Sequence, residues 1–439
     1  MEPHGHRTGH ADVTTAAVTA PSGPFPHGSP PAAPAGGWSS ARDAILCATA
    51  ALLSPGYALV GAVLLFVVLV FEAIACRRNP WEPTPIDPLI VVWIGAVTAS
   101  ALMSDHRTLA VLNSALLALG IMLGCAPMTR TLHERPRFVR ALYTWWVAGG
   151  AVAGVMAIVH FARGGTGGRG ELPQLGFNAT GTVLLIASLL ALTLLVTGRG
   201  RTTYLAAAAQ LPILAGLAST MSRGAWLGWW VGVFTLLVMA RVGTPSMRRR
   251  AWAAAGVLAA AVLVAVAAHP DLLRRARSTL TAEVNRDRLL LWQASWRMFA
   301  DHPWWGVGFG AFVHVFPGYR LPGDPNEFPP FAHNLLLSMA VETGAPAAAA
   351  FLALIVAIAW VGASRSLRGP PEHGMLRAGA TAAFAGVMGH QMVDGTLQAF
   401  HLGFAFWFLV AVMVAPPDRA PQEASSQNAV DLRPTNPPR

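Results

Sequence analysis

Charge-poor apolar runs of near-bilayer length recur along most of this chain, at about 88–103, 108–128, 138–162, 177–197, 202–219, 224–240, 251–268, 344–362, 376–397 and 400–415. A helix needs roughly 20 apolar residues to cross a membrane, so each run is a candidate span. The first apolar block, Ala44 to Ala75, is long for one crossing and is broken by Ser54-Pro55-Gly56, which reads as two spans joined by a tight turn. Composition agrees, since 54% of the 439 residues are hydrophobic and only 12% are charged, with a mean hydropathy of +0.48. The expected fold is all-α, a polytopic integral membrane bundle of about 12 transmembrane helices.

The formal net charge is +10, and every basic residue is arginine. Arginine keeps its proton and grips phosphate or carboxylate with a planar fork; its positions also orient the chain. Arg130, Arg135, Arg137 and Arg140 share one loop, Arg199 and Arg201 another, Arg241 and Arg248 to Arg250 a third, and Arg365 and Arg368 a fourth, so that alternate loops are basic. By the positive-inside rule these loops are cytoplasmic. Arg163 to Gly176, the turn at Ser222-Arg223 and the long segment His269 to Ala332 then fall on the other side. Charge scattered between spans, with no basic soluble patch, argues against a nucleic acid partner.

The chain divides into a tail at 1–40, nine transmembrane helices in 41–268, an outer loop at 269–332, three further transmembrane helices in 333–415 and a second tail at 416–439. The first tail is rich in Pro, Gly, Ala and Thr, carries His4, His6 and His10, and lacks the basic and apolar regions of a cleavable signal. Cys47, Cys76 and Cys125 lie in or beside apolar segments, so neither a disulfide nor a metal site is expected. The outer loop holds seven arginines and six acidic residues and is too long for a mere connector. From Ser278 to Ala300 it places Leu289, Trp292, Trp296 and Phe299 at helical spacing. That pattern predicts a helix lying on the membrane surface, its tryptophans among the lipid headgroups.

Candidate functional residues cluster on the outer side. Arg223 opens a span after Ser222 and before a glycine that allows close approach, although an arginine at a helix end often only reaches for the interface. Arg288 lies one turn before Trp292, a spacing that permits guanidinium–indole stacking. Arg274, Arg275 and Arg277 suit anionic headgroups. His333 follows Pro329 and Pro330 and precedes Leu335 to Leu337, which predicts that it occupies the first turn or the cap of a helix, where the positive dipole end disfavours imidazolium. A neutral imidazole accepts a proton; a packed or capping histidine is the plainer reading. Asn334 beside it and Asn178 at the outer end of another span are candidate sugar contacts, or helix caps. His390 and Asp394 are one turn apart within a predicted span, where polar groups usually face a cavity, and they pair with each other or support the site. Gly306, Gly308 and Gly310 in WWGVGFG read as a flexible turn, since neither strand nor long helix flanks them as a dinucleotide loop requires. Glu342 follows His333 by nine residues, which puts it near the opposite helix face.

Three stretches together, SRGAWLG from Ser222, RLLLWQASWRMFADHPWWGVGFGAF from Arg288 and AHNLLLSMAVETGAP from Ala332, resemble the O-antigen ligase and O-antigen polymerase superfamily. The resemblance covers roughly 220–346. It implies a GT-C-type glycosyltransferase without cofactor, acting on the periplasmic face of the bacterial inner membrane. The implied donor is an undecaprenyl-diphosphate-linked glycan, and the implied acceptor is a sugar hydroxyl of lipid A-core. Arg223 and Arg288 then match the family's essential arginines, and His333 its essential histidine. Guanidiniums aimed at the leaving diphosphate stabilise charge that grows in the transition state. Within the same superfamily, an O-antigen polymerase or a protein O-oligosaccharyltransferase shares the donor chemistry. A secondary transporter is the reading from another class; it predicts inverted repeats, which are not found here, and His390 with Asp394 is what speaks for it.

Overall fold

The structure is a computed structural model, and it describes residues 36–416 except 75, 78, 80, 174, 279–281 and 399. Most of both expected tails, with His4, His6 and His10, lies outside the described residues. The first helix nevertheless begins at Gly36, inside the stretch read as tail.

The described residues form helices without strands. The first nine long helices are α1 (Gly36–Leu53), α2 (Ala58–Ile74), α3 (Asp87–Met103), α4 (Arg107–Glu134), α5 (Val139–Ala162), α6 (Gly176–Thr197), α7 (Arg201–Ser219), α8 (Arg223–Met239) and α9 (Pro245–Ala268). The intervening segment carries α10 (Pro270–Arg277), α11 (Ala282–Asp301) and the single turn α12 (Phe312–Val315), and the chain continues through α13 (Leu335–Ser366), α14 (Pro371–Gln391) and α15 (Phe400–Val414). Among the described residues six helices, α4, α5, α6, α8, α9 and α13, are long and apolar enough to cross a membrane by length and composition. α1 and α2 meet at the Ser54-Pro55-Gly56 turn, where Gly56 takes the positive φ of 92° that its lack of a Cβ permits.

α6 is the central helix, buried along nearly its whole length and packed against α5, α7, α8, α9 and α14. Its Ser188 is a polar hub. The hydroxyl donates to Gln210 Oε1 of α7 at 2.9 Å, the Ser188 carbonyl accepts from Gln210 Nε2, and Trp229 Nε1 of α8 donates to Ser188 Oγ at 2.8 Å. Polar groups removed from water need such partners, and here they fix three helices in register.

The loops read as cytoplasmic gather at one end. There Arg140 pairs with Glu372 at 2.7 Å, and Arg250 donates to the Gly198 carbonyl at 3.0 Å. At the other end, the 269–332 segment clamps onto the bundle. Ser100 Oγ donates to the Trp305 carbonyl, Ser104 Oγ to the Val307 carbonyl, and the amides of Val307 and Gly308 donate to the carbonyls of Val341 and Glu342. The WWGVGFG stretch is thus a rigid clamp and not the flexible turn expected. Gly306, Gly308 and Gly310 all have positive φ, and a Cβ on Gly306 would meet the α13 backbone at Glu342 at 2.5 Å.

The amphipathic helix of the outer segment is α11, and it has two apolar faces. Leu291, Ala294 and Met298 pack inward on Val307, Phe312, Phe316 and Val341. The Leu289 and Trp296 face, on which the sequence reading rested, points outward.

Candidate functional site at the loop end of the bundle

The site begins with how tightly α8 lies on α14. A Cβ on Gly228 would collide with the Gly386 carbonyl, so the two backbones touch, the close approach that small residues allow between membrane helices. At Gly224, one turn earlier, a Cβ would sit 2.7 Å from Cδ2 of His390. The bulky group that the glycine beside Arg223 admits is therefore the His390 ring. Ser222 caps α8, its Oγ accepting from the Ala225 amide and donating to Asn178 Oδ1 at 2.8 Å. Asn178 thus tethers α6 to α8 through its side-chain oxygen, and Leu175 holds the cap position of α6.

His390 is fully buried, with Nδ1 3.0 Å from Thr182 Oγ1 of α6 and Nε2 3.9 Å from Asp394 Oδ2. The pair does not lie within one span as expected. α14 stops at Gln391, and Asp394 sits in the turn that leads to a short 3-10 helix at Thr396–Gln398. That break frees the carboxylate to face two imidazoles, because Asp394 Oδ1 is also 3.5 Å from His333 Nδ1. Oδ1 accepts from the Gly395 amide at 2.7 Å as well.

His333 departs from its predicted place. It lies one residue before the cap of α13, with a φ of 51° that is unusual for a residue bearing a side chain. The cap is Asn334, whose Oδ1 accepts from the Leu337 amide at 3.0 Å while Nδ2 donates to the Met392 carbonyl at 3.0 Å. An asparagine side chain reaches an orphan helix amide better than imidazole does, which displaces His333 outward. Asn334 is thereby used on both ends of its amide. His333 packs edge-on against Phe331, at 4.9 Å between ring centres, and its side chain remains partly exposed. It faces the Asp394 carboxylate, a neighbour that the sequence reading did not place there.

Four guanidiniums gather nearby. The charge of Arg288 acts on Arg169, Arg223, Arg275 and His390. Arg223 donates to the Ser278 carbonyl at 2.8 Å, and Arg275 Nε to the Met221 carbonyl at 3.1 Å, which ties α10 to the start of α8. Burial, with Arg169, Arg223 and Arg288 close by, holds the Arg275 guanidinium down to about 10. Burial and then Arg288 lower Arg169 in the same sense. Like charges brought together with reduced solvation are poised for a polyanion. Arg169 and Arg275 were not singled out as site residues from the sequence, although both lie outside the basic alternation that marks cytoplasmic loops. Thr182 carried no signal at all, since a threonine within a span is ordinary.

The stack expected between Arg288 and Trp292 is not formed; the cation–ring contacts among the described residues are Arg135 over Phe138 and Arg169 over Phe177. Glu342 lies apart from His333. It is buried, accepting from the Phe312 amide at 3.3 Å and from Gln398 Nε2 at 2.8 Å. No group of three His, Cys, Asp or Glu among the described residues is arranged to hold a metal ion.

The arrangement thus joins an imidazole, backed by a buried carboxylate, to a cluster of guanidiniums at one end of a helical bundle. No curated protein matches the chain. Residues 208–352, which run from α7 into α13 and include Arg223, Arg275, Arg288 and His333, match the family model described as O-antigen ligase.

Proposed function

We propose that the protein is a metal-independent, inverting glycosyltransferase with the bundle architecture of the GT-C type and about 12 spans. It transfers a preassembled glycan from undecaprenyl diphosphate to a sugar hydroxyl of lipid A-core at the periplasmic face of the inner membrane. The acceptor oxygen attacks the anomeric carbon and its proton passes to His333 Nε2. The bond from that carbon to the diphosphate oxygen breaks, and the electron pair leaves with the diphosphate. Asp394, 3.5 Å from Nδ1, orients the ring and stabilises the imidazolium formed, the role a carboxylate plays behind a histidine base. Arg223, Arg288, Arg275 and Arg169 take up the charge that grows on the leaving group.

The observation that carries the reading is the meeting of the His333–Asp394 pair with four mutually repelling guanidiniums within the region of the family match; Arg169 and Asp394 enter from outside it. A groove of about 1160 Å³ supports it. The groove runs between α7, α8 and α9 from Arg199 and Arg250 to Ala218, Trp226 and Leu272, close to Arg275, and suits a long hydrocarbon chain.

Purified protein with undecaprenyl-diphosphate glycan and lipid A-core should form the glycosylated lipid. His333→Ala should lower transfer by about a hundred to ten thousandfold, the usual worth of general-base help, with donor binding kept. Turnover by that variant at the wild-type rate would refute the assignment. Product on a protein or on a growing glycan, with none on lipid A-core, would move the protein to the oligosaccharyltransferase or polymerase branch of the same chemistry.

A further inference from the structure

α11 continues past Arg288 with a second chemistry. Trp292 and Trp296 follow it at intervals of four residues, so the three side chains lie along one stripe of the helix, each about 6 Å from the next along the axis. Beside the stripe stand Gln293 and Arg297, and the stripe faces a pocket of about 460 Å³ lined by Leu289, Trp292, Gln293, Trp296, Arg297, Asn334 and Leu337. One wall of that pocket is the start of α13, its cap Asn334 and Leu337, and Asn334 directly follows His333 in the chain. Trp296 is 61% exposed on a well-packed helix, and the indole N–H of Trp292 has no hydrogen-bond partner.

Flat aromatic faces flanked by amide and guanidinium donors fit a pyranose, whose C–H face lies on a ring while its hydroxyls bond to the polar neighbours. We infer that this pocket holds the first sugars of the donor glycan. The sugar joined to the diphosphate lies at Trp292, and the next lies on Trp296 with its hydroxyls bonded to Gln293 and Arg297. Continuity with Arg288 selects this occupant, because a glycan leaving a diphosphate at Arg288 in the direction of Trp296 meets these side chains in order. The axial step of the stripe is close to the length of one pyranose residue. The platform rests on the proposed function and adds to it a subsite that reads the second sugar.

The test measures equilibrium binding and transfer for undecaprenyl diphosphate bearing no sugar, one sugar or two sugars. Wild type should bind the two-sugar donor best. Trp296→Ala should weaken the two-sugar donor about tenfold, as losing about 1.4 kcal/mol would, and leave the other two unchanged. Trp296→Phe should restore part of the loss, and Gln293→Ala should give the same selectivity without touching an aromatic. Donor binding that ignores glycan length would overturn the platform alone. So would an unchanged donor profile in Trp296→Ala accompanied by weaker quenching of tryptophan by brominated lipid, which would make the face a membrane anchor. Failure of wild type to bind any of the three would overturn the proposed function and the platform with it.

Discussion

Arg275 shows most directly how neighbours alter a residue. Burial together with three nearby guanidiniums brings it down to about 10, so in the empty cluster it holds its proton less firmly than an ordinary guanidinium. A diphosphate entering the cluster near that pH must first restore the full charge on Arg275. Pyrophosphate affinity, followed by calorimetry from pH 8 to 11, should therefore fall more steeply in wild type than in Arg275→Gln. Parallel profiles for the two proteins would remove Arg275 from the anion site. His333 makes a related point about what a sequence exposes. That an imidazole stands at the head of α13 is legible from two prolines, a histidine and an apolar run. Its partner is not, because Asp394 is 61 positions away and reaches it only through the break after Gln391. A backbone in the left-handed region also has no local cue here, since asparagine, the residue that more often takes that conformation, is next door and serves as the cap.

At the scale of elements, the contact between α8 and α14 is the hinge of the site. Replacing Gly224 by alanine puts a Cβ 2.7 Å from the His390 ring and 2.8 Å from Val393 Cγ2. Such overpacking should cost about 1–3 kcal/mol and push His390 away from Asp394, lowering both the unfolding temperature and transfer. Gly256→Ala in α9 is the matching control. A Cβ there meets nothing within 4 Å, so it should be neutral or slightly stabilising. Equal behaviour of the two variants would mean that α8 and α14 do not meet this closely. α11 shows what periodicity leaves out. Its apolar residues repeat on two faces, and the heavier face, with Leu289 and Trp296, reads as the one that meets the lipid headgroups and does point outward. The lighter face of Leu291, Ala294 and Met298 is the one that packs, because Phe312 and Phe316 cover it. A hydrophobic stripe identifies a helix without saying which of two partners, protein or lipid, it meets.

Across the whole molecule, the end that carries the basic loops is held by charge as the other is held by the clamp. Arg42 of α1 bonds Glu72 of α2 at 2.9 Å and Glu134 of α4 at 2.8 Å, and both Arg42 and Glu72 are almost wholly buried. Arg42→Ala would strand the Glu72 carboxylate, at a cost of about 3–5 kcal/mol. Unfolding in detergent should show a large loss that Arg42→Met combined with Glu72→Gln largely recovers. A silent single variant would mean that water reaches the pair. That the chain forms apolar helices, several of them long enough to cross a membrane, and that it turns at Ser54-Pro55-Gly56 were legible in the chain, because they rest on local composition, and hydrophobic length is a one-dimensional property. So was the matching of three motifs to a family. The gathering of Arg169 and Arg275 with Arg223 and Arg288, the contact of Thr182 with His390 and the pairing of Asp394 with His333 were not, nor were the hydrogen bonds that pin the glycine clamp. Those depend on which helices touch and where α14 breaks, and residues scattered over more than 200 positions acquire a common electrostatic environment only when the packed bundle brings them together.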